Sequence, residues 1–176
     1  RKEMRKPLYK KLRKAGCDFI CYGLETPTKR LLKQVGKTLA VQDGVDFNAI
    51  IREGKEAGIE IILNLMMGLP GETDEDVDYL LKFLEDNRDT VNSIYPSLEF
   101  CEYYPGSSGN ADPAKIGVDL SKGTLFWDST DGKNTYLKRM ERFEKLTKAA
   151  KKLKINVFHD VEELVNNIEY RKNTSL

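Results

Sequence analysis

GIEIILNLMMGLPGE, from Gly58 to Glu72, decides the fold of this chain. Gly58 reads as a turn, and Glu60 to Gly68 read as a buried strand. Gly-Leu-Pro-Gly then stops the strand, and Glu72-Thr73-Asp74-Glu75-Asp76 opens a helix. Side chains alternate across a strand, so this one has two faces. Ile59, Ile61, Leu63, Leu65 and Met67 are all apolar, whereas Glu60, Ile62, Asn64, Met66 and Gly68 are mixed. A strand covered by helices on one side and lining a lumen on the other has this pattern.

Working outward, the elements alternate. Upstream, residues 3 to 15 carry Met4, Leu8, Leu12 and Ala15 at helical spacing, and Gly16 stops that helix. Asp18 to Glu25 is a short strand, with Phe19, Cys21, Gly23 and Glu25 on one face and Ile20, Tyr22 and Leu24 on the other. Helices are expected near Lys29 to Val35 and from Val41 to Ala57, the second with Phe47, Ile50 and Ile51 inward. Downstream, Thr73 and Asp76 are spaced as a capping box, ahead of a helix with Val77, Leu80, Leu81 and Leu84 inward. Ser97 to Tyr103 reads as a third strand, closed by Tyr104-Pro105-Gly106. Strands alternating with helices argue a parallel sheet and an α/β fold.

The remainder divides in two. Residues 105 to 133 are rich in Gly, Ser, Asp and Lys around Phe126-Trp127, and a segment of that length is either a functional cover or disordered. Residues 134 to 176 form a helical extension. Tyr136 to Leu153 is its amphipathic helix, whose Lys and Arg residues read as a solvated face, with an RNA-binding stripe as the alternative. A short strand at Val157-Phe158 and a helix from Asp160 to Tyr170 follow.

Composition excludes several functions. A net charge of +1 gives no electrostatic footprint for nucleic acid or membrane. No apolar run is long enough to span a bilayer. Three cysteines, an odd number, do not make a secreted disulfide scaffold, so a reducing cytoplasmic location is expected. Arg1 opens the chain within a helical pattern, as expected of a piece of a longer protein.

Few residues carry chemistry. Glu25 ends its strand, at the edge where parallel α/β folds place their sites, and Asn64 and Met66 fall on the same side and end. The turn before the Thr73 helix is no phosphate cradle, because five acidic residues from Glu72 to Asp78 would repel an anion. Cys17 and Cys21 match half of an iron–sulfur spacing, but Leu24 stands where the third thiolate belongs. His159, the only histidine, has no nucleophile or metal partner at a recognisable spacing.

Leu12 to Thr26 (LRKAGCDFICYGLET), Lys37, Met66 to Thr73 (MMGLPGET) and Tyr103 to Ser107 (YYPGS) resemble the radical S-adenosylmethionine superfamily, specifically its Fe–S oxidoreductases that often carry a cobalamin domain. The resemblance covers about residues 8 to 120 and matches the fourth to sixth strands of a (β/α)6 partial TIM-type barrel. It implies domains at 1–104 (the barrel's later half), 105–133 (a long loop) and 134–176 (the extension). The three-cysteine cluster loop has no counterpart here, so cluster ligands are not expected in this chain. It further implies S-adenosylmethionine and a [4Fe–4S] cluster as cofactors of the whole enzyme, cobalamin as a possible addition, and the earlier barrel half as a partner. By the same resemblance Glu25 contacts the ribose or amino-acid part of S-adenosylmethionine. Lys37 lies near its carboxylate, Asn64 stands on the fifth strand, Met66 and Gly68 match the segment that packs on the adenine, and Tyr103 and Tyr104 match the position after the sixth strand whose backbone reads the adenine edge. Asn64 replaces the family's first Gly, and Glu72 lies one residue later than in the family pattern. A methylthiotransferase-like relative acting on RNA and a non-catalytic α/β interaction module are the alternatives. The isolated chain is expected to self-associate and to be inactive alone.

Overall fold

The computed structural model describes residues 4–34, 36–37 and 46–174. Four strands form one all-parallel sheet in the order β1 (Phe19–Glu25), β2 (Glu60–Leu65), β3 (Val91–Pro96), β6 (Asn156–Val157). The helices are α1 (Lys6–Lys14), α2 (Lys29–Gln34), α3 (Phe47–Glu56), α4 (Asp74–Asp86), the short α5 (Ser108–Ala111), α6 (Tyr136–Lys152) and α7 (Val161–Thr174). No barrel closes among the described residues, and β1 and β6 are the sheet's edges. The expected positions 35 and 41–45 of the two helices after β1 lie outside the described residues.

The two faces of β2 differ as its sequence requires. Ile59, Ile61, Leu63, Leu65 and Met67 are each at most 1% exposed. Ile61, Leu63, Leu65 and Met67 join Val77, Leu80 and Leu84 of α4 and Phe143, Leu146 and Ala150 of α6 in the main core, while Ile59 packs with Tyr9 and Ile50 in a second cluster. On the opposite face Glu60 and Asn64 are exposed and Ile62 and Met66 half-buried. Phe19 and Cys21 are exposed beside them on β1. Among the described residues, helices therefore cover one side of the sheet and leave the other open. The α4 start is a full capping box, in which Thr73 Oγ1 accepts from the Asp76 N–H and Asp76 accepts from the Thr73 N–H.

Three expectations need correction. The third strand is Val91–Pro96, not Ser97 to Tyr103, which is irregular. Two short apolar runs compete here. Val91 and Ile94 win because they lie in register with Ile61 and Leu63 and bury under α4 and α6. Residues 105 to 133 are neither loose nor strandless. They fold as α5, a 3-10 turn (Ala114–Ile116) and an antiparallel pair, β4 (Val118–Asp119) with β5 (Asp128–Ser129). Trp127 is fully buried there against Tyr103 and Val118. Finally, the buried residue of α1 is Tyr9, whose hydroxyl lies 2.5 Å from that of Tyr22.

Candidate functional site

β1 ends in an irregularity that aims Glu25. Gly23 pairs with Asn64, but Glu25, not Leu24, pairs with Leu65, so β1 carries one extra residue. Such bulges re-aim side chains at sheet ends. Glu25 also adopts φ 61°, a left-handed backbone that costs a non-glycine residue about 1–3 kcal/mol and is common at ligand clamps. The Met66 N–H donates to the Glu25 carbonyl at 2.9 Å, which ties the two strand ends together.

The Glu25 carboxylate accepts from Lys37 Nζ at 2.7 Å, and the same ammonium donates to the Gly23 carbonyl at 2.6 Å. Gly23 is required beneath them: a Cβ there would stand 2.7 Å from Glu25 Oε1 and 2.9 Å from Lys37 Nζ. Asn64 lies beside Gly23 and accepts from the Cys21 thiol at 2.9 Å. Partial burial holds that thiol above its usual range. Glu25, Lys37, Asn64 and Met66 are thus gathered at one end of the first two strands. They present an anion, a cation and an amide on the open face.

The other predicted residues fall elsewhere. Gly68 is buried at φ 71°, and a Cβ there would collide with Cδ of Arg139, so its space belongs to a helix rather than to the open face. Tyr103 follows β3 by an irregular stretch, and its ring packs on Trp127 at 5.6 Å. Tyr104 is 56% exposed. His159 stacks on Tyr95 at 4.3 Å and faces the Pro96 carbonyl through Nδ1.

Beneath this end lies a polar cluster that sequence reading missed. Arg139 and Arg142, assigned to a solvated face, are 0% and 4% exposed. The Arg142 guanidinium donates to the Glu72 carbonyl (3.0 Å), Asp74 (2.9 Å) and Asn134 Oδ1 (3.3 Å), and lies 3.7 Å from the Glu72 carboxylate. Asn134 Nδ2 donates to the Leu69 carbonyl at 2.9 Å. Glu72 accepts from the Gly68 N–H with both oxygens, at 3.2 and 3.1 Å. Burial pushes its carboxyl up to about 7, against the opposing pull of Arg142 and the Gly68 and Leu69 amides. Arg139 meets three carbonyls, of Asn134, Leu125 and Trp127, and lies 4.0 Å over the Trp127 ring. Burial lowers its pKa to about 10, which leaves it charged at neutral pH. The signal for these arginines was their place on the apolar stripe: Arg139 and Arg142 precede Phe143 and Leu146 by four residues.

Residues 3–84 match the profile of the Radical SAM superfamily. This segment belongs to the radical SAM superfamily. The chain is 26% identical over 99 residues to an uncharacterized methyltransferase of Pyrococcus horikoshii, covering 53% of this chain and 21% of that protein. It is 31% identical over 98 residues to bacteriochlorophyllide d C-8(2)-methyltransferase of Chlorobaculum tepidum, covering 56% and 21%. To ribosomal protein uS12 methylthiotransferase RimO of Pelodictyon phaeoclathratiforme it is 31% identical over 91 residues, covering 51% and 20%. The matches span about a fifth of the length of these relatives.

Radical SAM chemistry joins S-adenosylmethionine to an iron–sulfur cluster. The thiols here do not make a cluster site. Cys21 faces Asn64 on the sheet, Cys17 donates to the Phe19 carbonyl, and Cys101 packs in the Trp127 cluster. Among the described residues no group of three or more His, Cys, Asp or Glu is arranged to hold a metal ion. The open end of β1 and β2 does suit S-adenosylmethionine, which presents hydroxyls, an amino-acid carboxylate and a flat adenine. Also among the described residues, no helix is long and apolar enough to cross a membrane.

Proposed function

We propose that this chain supplies the S-adenosylmethionine-facing later strands of a radical SAM enzyme. The observation that carries the reading is the Glu25–Lys37 pair over Gly23, set on the open sheet face by the β1 bulge. Glu25 accepts from ribose hydroxyls or the ammonium group, Lys37 offsets the cofactor's carboxylate, and Met66 flanks the adenine. Asn64 borders the substrate cavity, and Tyr104 is the exposed member of the tyrosine pair. When bound and reduced by a cluster held elsewhere in the whole protein, S-adenosylmethionine supplies a 5′-deoxyadenosyl radical that removes hydrogen from the substrate. The work of this chain is to bind, orient and exclude water.

The names of the relatives support methyl or methylthio transfer as the reaction class of the whole protein, with cobalamin as the proposed extra cofactor in the first case. An RNA-binding role for α6 is less favoured. Three of its cations are engaged by the acidic start of α4, where Arg142 and Lys138 meet Asp74 and Lys145 meets Asp78. The open face and the free edge of β1 await the earlier half of the barrel. In its absence the chain pairs with itself, which sedimentation velocity over a concentration series reads directly.

Titration calorimetry with S-adenosylmethionine tests the site. Glu25→Ala weakens binding by about 1.5–3 kcal/mol, the value of a charge-assisted hydrogen bond. Equal affinity for the variant and the unaltered chain would falsify this assignment.

A further inference from the structure

The turn after β2 and the helix α6 are far apart in sequence but share one buried polar network. Gly68 to Glu72 offers carbonyls and N–H groups that no strand or helix satisfies. Asn134 takes the Leu69 carbonyl, Arg142 takes the Glu72 carbonyl, and Glu72 returns to the Gly68 N–H. The stem of Arg139 fills the space beside Gly68 that any Cβ would need. The guanidinium of Arg142 also reaches Asp74 in the first turn of α4, so one side chain holds both the turn and the helix that follows it. Asn134 and Arg142 in turn contact each other at 3.3 Å. These three residues lie beyond the segment 3–84 that matches the family.

We infer that Arg142 and Asn134 are positioning residues: through the Gly68–Glu72 turn they set the backbone of Met66 to Gly68 at the cofactor-facing strand end. The inference rests on the S-adenosylmethionine reading for the identity of the ligand, but not for the positioning itself. Its physical content is that the C-terminal extension completes the site without touching the ligand. A buried fork of donors fixes a turn more tightly than apolar packing does, because each donor demands one geometry. Met66 is bonded through its N–H to the Glu25 carbonyl, so a displaced turn also disturbs the Glu25 clamp.

The experiment compares Arg142→Lys and Asn134→Ala with Leu146→Ala, a core substitution on the same helix. Arg142→Lys keeps a positive charge near Glu72 and so preserves folding while it loses the fork. For each folded variant, amide hydrogen exchange at Gly68 and Glu72 is read by NMR, and S-adenosylmethionine affinity by calorimetry. The expected result is at least about tenfold faster exchange at the turn and about tenfold weaker binding for Arg142→Lys and Asn134→Ala, as for loss of one buried hydrogen bond. In the two polar variants the β2 amides stay within about twofold, whereas Leu146→Ala, whose loss of stability is global, speeds exchange at β2 and at the turn together and leaves the affinity within about twofold. Unchanged turn exchange in both polar variants overturns the inference. So does unchanged affinity in both while Glu25→Ala loses affinity, and in that case the cofactor site itself stands. If the unaltered chain does not bind S-adenosylmethionine, the ligand reading fails alone, and turn exchange decides the positioning.

Discussion

Glu25 and Glu72 follow neighbouring parallel strands, and each meets a cation, yet they do opposite things. Glu25 is part-exposed, lies 2.7 Å from Lys37 and sits on a strained residue of the open face. Glu72 is 6% exposed, holds the Gly68 N–H with both oxygens and faces Arg142 at 3.7 Å. The first pair keeps its charges at the surface, where a ligand can replace either partner. The second is enclosed, and its partners are all protein. Two carboxylates that look alike in the sequence differ because one follows a bulge toward solvent and the other a turn beneath α6.

The largest effect that separates the two regions is expected from Arg142→Met. It strands a buried carboxyl and two carbonyls, and costs about 3–5 kcal/mol in denaturant unfolding. A cost below that of an ordinary surface substitution would place the turn outside the folded core. Leu63→Ala, on the helix-covered face, loses roughly 2–5 kcal/mol. Phe19→Ala, on the open face of β1 and 59% exposed, stays within about 0.5 kcal/mol in the monomer. Similar losses for the two would mean that both faces are covered in solution.

Next comes pH. Glu72 is raised from 4.5 to about 7 on folding, so the folded state holds a proton that the unfolded chain has released. Its contribution to stability is therefore complete below about pH 4.5 and is lost as pH rises through 7, by on the order of 3 kcal/mol. Glu72→Gln removes that slope, and a profile identical to the unaltered chain between these limits would show Glu72 to be ionised throughout. Glu25→Ala has only a small stability effect, at most about 1 kcal/mol for a part-exposed pair. Thermal melts should barely distinguish it, although the same variant is expected to lose ligand affinity. That split between stability and binding is the signature of the open site.

The architecture was legible where burial and periodicity agree. Every second residue from Ile59 to Met67 is apolar, the capping box at Thr73 marks a helix start, and the strand before Glu25 shows its two faces in the sequence. Ser97 to Tyr103 misled because it is apolar and aromatic like a strand; only its register against Ile61 and Leu63 shows that Val91–Pro96 is the strand. For the site, Glu25, Asn64 and Met66 follow from their shared side and end of the strands, and Lys37 was added by the resemblance alone. Gly68, read on the mixed face of β2, has Arg139 in the space a Cβ would take, and the Tyr103 ring packs on Trp127.

What the sequence determined by itself is therefore local: the period of each element, its caps and the apolar face of β2. These depend on neighbours within a few residues, whose spacing is written in the chain. The tertiary structure alone decided that two arginines of an apparently solvated helix are buried, that Asn134 holds a carbonyl 65 positions away, and that Glu72 is raised while Glu25 stays open. Those outcomes depend on which distant groups fill the same space, and on the low polarity of that space, neither of which any local pattern encodes.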